Sequence, residues 1–189
     1  MDIGKRLKLI LYDYEFRGVR VVFVKDYPRL PTPGGTINVR RGDELELPRW
    51  QARMLESMGV AEISEKPLDP TMVNMYHYQE KKRPYPNALV GLPQDFYLKV
   101  REYIRRIDEA IKQDPRKVNY VLLRERETLE RNLYDLAQTR LAKILRLALG
   151  GGEEFRDRMT PEESLIYSEI ADVSEEWRRY IQSIFRGEE

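Results

Sequence analysis

The sequence contains no cysteine and one histidine, His77. Without thiols there are no disulfides, no cysteine nucleophile and no cysteine-ligated zinc. A lone imidazole cannot supply a His-paired metal site, and it leaves a Ser–His–Asp relay a single candidate base. His77 sits between Tyr76 and Tyr78, where a packing or linker role is a better reading than general base. Long hydrophobic runs are also missing. Nothing approaches the roughly 18 apolar residues that span a bilayer, and Met1–Leu7 lacks the apolar stretch of a signal peptide. Net charge is nearly absent: 33 Lys and Arg against 32 Asp and Glu give +1, so no global field draws in nucleic acid or an anionic membrane. Gly150-Gly151-Gly152 follows a helical pattern and lacks the Gly-Lys-Ser/Thr of a phosphate cradle. It reads as a helix stop. No cofactor is expected.

What is present is charge of both signs and enough apolar residue for a core, 34% and 41% of the chain. Val19–Lys25 is a β-branched run and the clearest strand. Tyr27–Gly35 carries three prolines and two glycines, which predicts an exposed loop. Thr36–Arg40 and Glu44–Leu47 alternate as strands around the Arg41-Gly42-Asp43 turn, and Val60–Ile63 forms a closing strand. Between them Pro48 suits a first helical position. Trp50, Met54 and Leu55 then share one helix face. That spacing predicts Trp50 as a core anchor where helix meets sheet, with base stacking or docking as the functional alternative.

Residues 66–92 are punctuated by prolines and predict a linker containing a short helix between Pro70 and Arg83. Beyond it the apolar period becomes helical. Phe96, Val100, Ile104, Ile107 and Ile111 mark one helix. Asp114-Pro115 reads as the start of a second, which runs through Leu129, Leu133, Leu136 and Ile144 to the triple glycine. Thr160-Pro161-Glu162-Glu163 is a strong helix start: a cap, a first-turn proline, then acids at the positive end. The expected architecture is α+β. A small β-rich module with one helix (1–65) precedes the linker (66–92) and a mainly α-helical bundle domain (93–189).

No constellation for chemistry emerges. The acid pairs Asp43-Glu44, Glu153-Glu154, Glu162-Glu163 and Glu175-Glu176 are adjacent in sequence. On a helix such neighbours diverge by about 100°, so they do not face each other across a cleft. Tyr76, Tyr78, Tyr85, Phe96 and Tyr97 fasten the linker to the bundle in the favoured reading, or stack on single strands. Arg140 and Lys143 interrupt an apolar stretch, where a charge is costly unless paired. An ion pair with Glu162 or Glu163 is expected.

Three blocks in order resemble a known family. They are Gly42-Asp43…Leu47-Pro48-Arg49-Trp50-Gln51-Ala52…Leu55, then Pro93-Gln94-Asp95-Phe96-Tyr97, then Leu133-Tyr134-Asp135-Leu136…Arg140-Leu141-Ala142-Lys143-Ile144 with Met159-Thr160-Pro161-Glu162-Glu163…Tyr167. The chain resembles a GINS complex subunit, of the archaeal type with the small β domain first. The resemblance implies a non-catalytic DNA replication scaffold, cytoplasmic and chromosome-associated. It implies pairing with a second GINS subunit of opposite domain order, as a two-plus-two heterotetramer. That assembly bridges the MCM helicase and a Cdc45/RecJ-like partner, with any DNA contact made indirectly. Interface or structural candidates are Trp50, Phe96, Tyr97, Leu133, Leu136, Arg140, Lys143, Ile144, Glu162, Glu163 and Tyr167. The alternative is an independent single-stranded nucleic-acid-binding protein, disfavoured by the balanced charge.

Overall fold

In the computed structural model, which describes residues 2–113 and 120–187, the chain divides after Pro67 into units Met1–Pro67 and Leu68–Glu189. The architecture is α+β, strands with helices followed by a helical region. In the first unit, helix α1 (Ile3–Phe16) leads into strands β1 (Gly18–Phe23), β2 (Tyr27–Thr32), β3 (Gly35–Val39) and β4 (Glu44–Pro48), helix α2 (Arg49–Ser57) and strand β5 (Ala61–Ile63). β1 is the centre of an antiparallel sheet of order β4-β1-β5. Its two-residue alternation turns Val19, Val21 and Phe23 inward. They pack with Leu47, Ala52, Leu55 and Ala61 from β4, α2 and β5.

Three expectations for this unit are corrected. α1 is a second helix where only one was expected. Leu7, Ile10, Leu11 and Tyr14 have helical spacing, but Asp2 makes no side-chain cap, so the usual start signal is weak. The proline-rich stretch is not a loop, because β2 pairs with β3 as a hairpin. Pro28 and Pro31 are tolerated because β2 has one strand neighbour, and a proline on an open edge wastes no ladder bond. The register shifts between Tyr27 and Leu30, where Arg29 takes φ 57° and donates its N–H to Asn38 Oδ1 at 3.0 Å. Leu30 is thereby carried into the core.

The third correction concerns Trp50, which is 43% exposed, with Met54 exposed beside it. The inward face of α2 is Arg49, Gln51, Ala52 and Leu55. Specific partners compensate the two polar members. The Arg49 guanidinium lies 4.4 Å from the Tyr14 ring centroid and bonds Glu65, while Gln51 Nε2 donates to the Pro31 carbonyl at 2.8 Å.

The second unit comprises α3 (Thr71–Lys81), a 3-10 turn (Pro86–Ala88), α4 (Phe96–Gln113), α5 (Tyr120–Gly150), a 3-10 segment (Glu153–Arg158) and α6 (Pro161–Arg186). The expected Asp114-Pro115 start lies outside the described residues. α5 is the spine. Leu129 and Leu136 join Val73, Phe96 and Val100 in one cluster, while Ile144, Leu147 and Ala148 join Leu89, Met159 and Tyr167 in another. α3, inside the segment read as a linker, thus contributes Val73 to the core of this unit. The helix stop is as expected: Gly151 has φ 83° and Gly152 N–H bonds the Leu147 carbonyl at 2.9 Å.

α6 begins with a full capping box, in which Thr160 and Glu163 each accept from the other's backbone N–H. Thr160→Ala is expected to cost about 1 kcal/mol, read as a lowered urea midpoint at unchanged slope. An unchanged midpoint would show that water replaces the cap.

Candidate subunit interface

A buried charged node organises the second unit. Arg140 (α5) and Glu80 (α3) are both 0% exposed, and Lys143 and Glu163 are buried beside them. Isolated charges in such a place cost several kcal/mol each, so the satisfaction of every group decides whether the node is tolerable. Arg140 Nε donates to Glu163 Oε1 at 2.6 Å and Nη2 to Glu163 Oε2 at 2.7 Å, a bidentate fork. Nη1 donates to Glu80 Oε2 at 2.8 Å and the Val90 carbonyl at 2.6 Å. Nη2 also reaches the Arg158 carbonyl at 3.0 Å. All five guanidinium N–H donors therefore find acceptors.

Lys143 Nζ donates to the Glu80 carbonyl at 3.0 Å and to the Glu80 carboxylate. Glu80 also accepts from Val90 N–H at 3.2 Å, and Glu163 from Tyr97 Oη at 2.7 Å. Two cations meet two anions, so the node is neutral. Burial works against the Arg140 charge, yet Glu163 and Glu80 overcome it and hold the guanidinium above its ordinary range. Burial, reinforced by Glu163, pushes the Tyr97 phenol well above its usual value.

The residues expected at an interface or in the structure fall into distinct places. Phe96, Leu136, Ile144 and Tyr167 lie in the core, with Leu133 packed against it. Tyr97, Arg140, Lys143 and Glu163 make the node. Of the two acids proposed for Arg140, Glu163 is its partner, while Glu162 makes no hydrogen bond with its carboxylate among the described residues. Lys143 pairs not with the last helix but with Glu80, which the sequence reading missed. Glu80 lies in the polar run Gln79-Glu80-Lys81-Lys82-Arg83, and nothing local marks it for burial. Of the linker aromatics, Tyr76 packs edge-on against Phe96 with centroids 5.4 Å apart, while Tyr78 and Tyr85 are exposed. His77 approaches Asp135 at 3.8 Å. Burial and Lys81 lower its pKa against the pull of Asp135.

The exposed apolar surface lies elsewhere. Glu163, Leu165 and Tyr167 are buried at the start of α6. From Asp172 to Arg186 no residue of the helix is buried. There Val173, Trp177, Tyr180 and Ile184 repeat at i, i+4, i+7 and i+11, each between 55 and 63% exposed. Trp177 and Tyr180 have ring centroids 5.9 Å apart. Arg178 Nη2 donates to the Leu149 carbonyl, which ties the end of α5, with its exposed Leu149 side chain, to this part of α6.

Among the described residues no group of three or more potential ligands could hold a metal ion, and no helix is long and apolar enough to cross a membrane. A groove of about 490 Å³ between the starts of α3 and α5 is lined by Asn74, Tyr120, Arg124, Glu125 and Thr128 among others.

No curated protein matches the sequence. The family model described as the GINS complex protein helical bundle domain, Sld5, matches residues 68–182, which is the second unit from its first residue to the last turns of α6. The chain therefore belongs to the Sld5 family of GINS complex proteins.

Proposed function

We propose that this chain is the subunit of an archaeal-type GINS assembly that carries its β-rich unit first. It pairs through the C-terminal half of α6 with a subunit of opposite domain order, giving a two-plus-two tetramer. Family membership implies a role in the DNA replication helicase complex, with other GINS subunits and the replicative helicase as partners, and the family is non-catalytic. In this reading the assembly bridges the MCM helicase and a Cdc45/RecJ-like partner on the chromosome inside the cell. The β-rich unit serves as a docking module.

The stripe Val173–Trp177–Tyr180–Ile184 carries the proposal. About fifteen residues of helix with no buried side chain are marginal alone in water, and an apolar stripe on such a helix is stabilised by a second helix against it. Aromatic residues at its centre are what the core of a protein interface favours. The buried node holds α3, α5 and the start of α6 in one arrangement, which supports presenting that stripe in a fixed orientation.

Light scattering after size exclusion tests the pairing. Mixed with the opposite-order subunit from the same cell, the chain is expected to elute as a complex containing two copies of each. Elution of both proteins unchanged would remove the tetramer.

A further inference from the structure

The first unit carries a second apolar surface, independent of the α6 stripe. On α1, Leu9, Tyr12 and Phe16 recur at i, i+3 and i+7, and on α2 and its capping residue, Trp50, Met54 and Met58 recur at i, i+4 and i+8. All six side chains are between 43 and 68% exposed. α1 carries apolar residues on two sides. Leu7, Ile10, Leu11 and Tyr14 are partly or fully covered, while Leu9, Tyr12 and Phe16 are exposed among charged neighbours. A contiguous exposed apolar patch rimmed by polar residues marks an interaction surface.

The two stripes belong to one place. The ion pair Arg53 Nη2–Glu15 Oε2, at 2.6 Å, joins the helices and is largely covered. Tyr12 and Phe16 neighbour Glu15 on α1, and Trp50 and Met54 neighbour Arg53 on α2. Aromatics and methionines of this size expose on the order of 500 Å² together. That is less than the roughly 800 Å² per partner of a standard protein interface, but it suits one helix laid along two. Methionines make such a surface adaptable.

Charge then selects the occupant. Lys5 and Lys8 are exposed on the same outer side of α1 as Leu9 and Tyr12, and among the described residues neither has an acidic partner. The acids nearest the stripes are already committed: Asp13 to Arg17 at 2.7 Å and Glu15 to Arg53. Asp2, one turn before Lys5, offsets one of the two lysines, so the charge at the rim stays net positive.

We infer that the α1–α2 face is a docking surface for an amphipathic helix of a partner protein whose apolar stripe is flanked by acidic residues. The apolar stripe covers Tyr12, Phe16, Trp50 and Met54, and its carboxylates meet Lys5 and Lys8. This does not depend on the pairing through α6.

Two labelled synthetic peptides of eighteen residues test it by fluorescence polarisation on the full chain. They share one leucine–phenylalanine stripe, flanked by glutamates in one and by lysines in the other. The glutamate peptide is expected to bind at least ten-fold more tightly. Lys5→Glu together with Lys8→Glu should reverse that order, and Phe16→Ala or Met54→Ala should each weaken binding at least five-fold while thermal unfolding stays unchanged. Failure of both peptides to bind, or equal binding of the two, overturns the inference. So does a preference that survives the double lysine reversal. Saturable binding of an oligothymidylate at the same face, competing with the glutamate peptide, would overturn it in favour of base stacking. Complex formation with the opposite-order subunit should persist in the Lys5→Glu/Lys8→Glu variant, which separates this surface from the one on α6.

Discussion

Arg140→Ala is expected to cost the helical unit about 3–5 kcal/mol, the range for breaking one side of a buried ion pair. The side chain makes all five of its hydrogen bonds inside the protein, so its loss strands several acceptors at once. Glu163 keeps Tyr97 and the Thr160 N–H, and Glu80 keeps Lys143, but the node is left with one excess negative charge. Urea unfolding followed by helical circular dichroism reads the loss. A cost below about 1 kcal/mol would mean that water enters and solvates the acids. Glu163→Gln added to Arg140→Met should cost less than the two changes summed, with a coupling of roughly 1–3 kcal/mol. That pattern separates a charge imbalance from a simple packing defect. Lys143→Met should be milder than Arg140→Ala, because Glu80 retains the guanidinium and the Val90 N–H.

Val173→Asp combined with Trp177→Asp is expected to weaken pairing with the opposite-order subunit by at least 100-fold while leaving the isolated chain folded. Both side chains are more than half exposed in the chain by itself, so the substitutions remove little buried contact. In a complex they would bury two carboxylates, and losing a central tryptophan alone can cost 2 kcal/mol or more. Two measurements are needed on the same variant: a thermal melt matching the parent, and a dissociation constant from titration with the partner. An unchanged dissociation constant would move the interface away from α6. A collapsed melt would instead place the stripe in the fold of the lone chain.

Much of this architecture is legible in the residue pattern. β1, β4 and β5 follow from two-residue alternation, and α4, α5 and α6 from their 3.6-residue period. The Thr160 box and the Gly150–Gly152 stop mark helix ends by chemistry that is local and needs no distant partner. β3 was legible as the Thr36–Arg40 alternation, but its partner β2 was not, since prolines argue against a strand unless its open edge is known. α1 lacked a capping signal. The α2 face was misread because nine residues with apolar side chains on both sides do not determine which side is inward. Arg49 and Gln51 won that side only because Tyr14, Glu65 and the Pro31 carbonyl wait there for them.

The candidate site divides along the same line. An arginine and a lysine in an apolar stretch demand counter-charges, so the existence of a buried ion pair was determined by the sequence alone. Which acids answered was not. Glu163 advertised itself at a helix start, whereas Glu80 sits in a polar run and is buried only because α3 packs on α5, sixty residues along the chain. Likewise the stripe on α6 is written as one continuous repeat through Ile166, Ile170, Val173, Trp177 and Ile184, and only tertiary packing decides that its first members are half-buried and its later ones exposed. Periodicity records which residues share a face. What that face meets depends on which other elements reach it: Leu149 at the end of α5 meets α6 at Arg178, yet no described element buries Val173, Trp177, Tyr180 or Ile184.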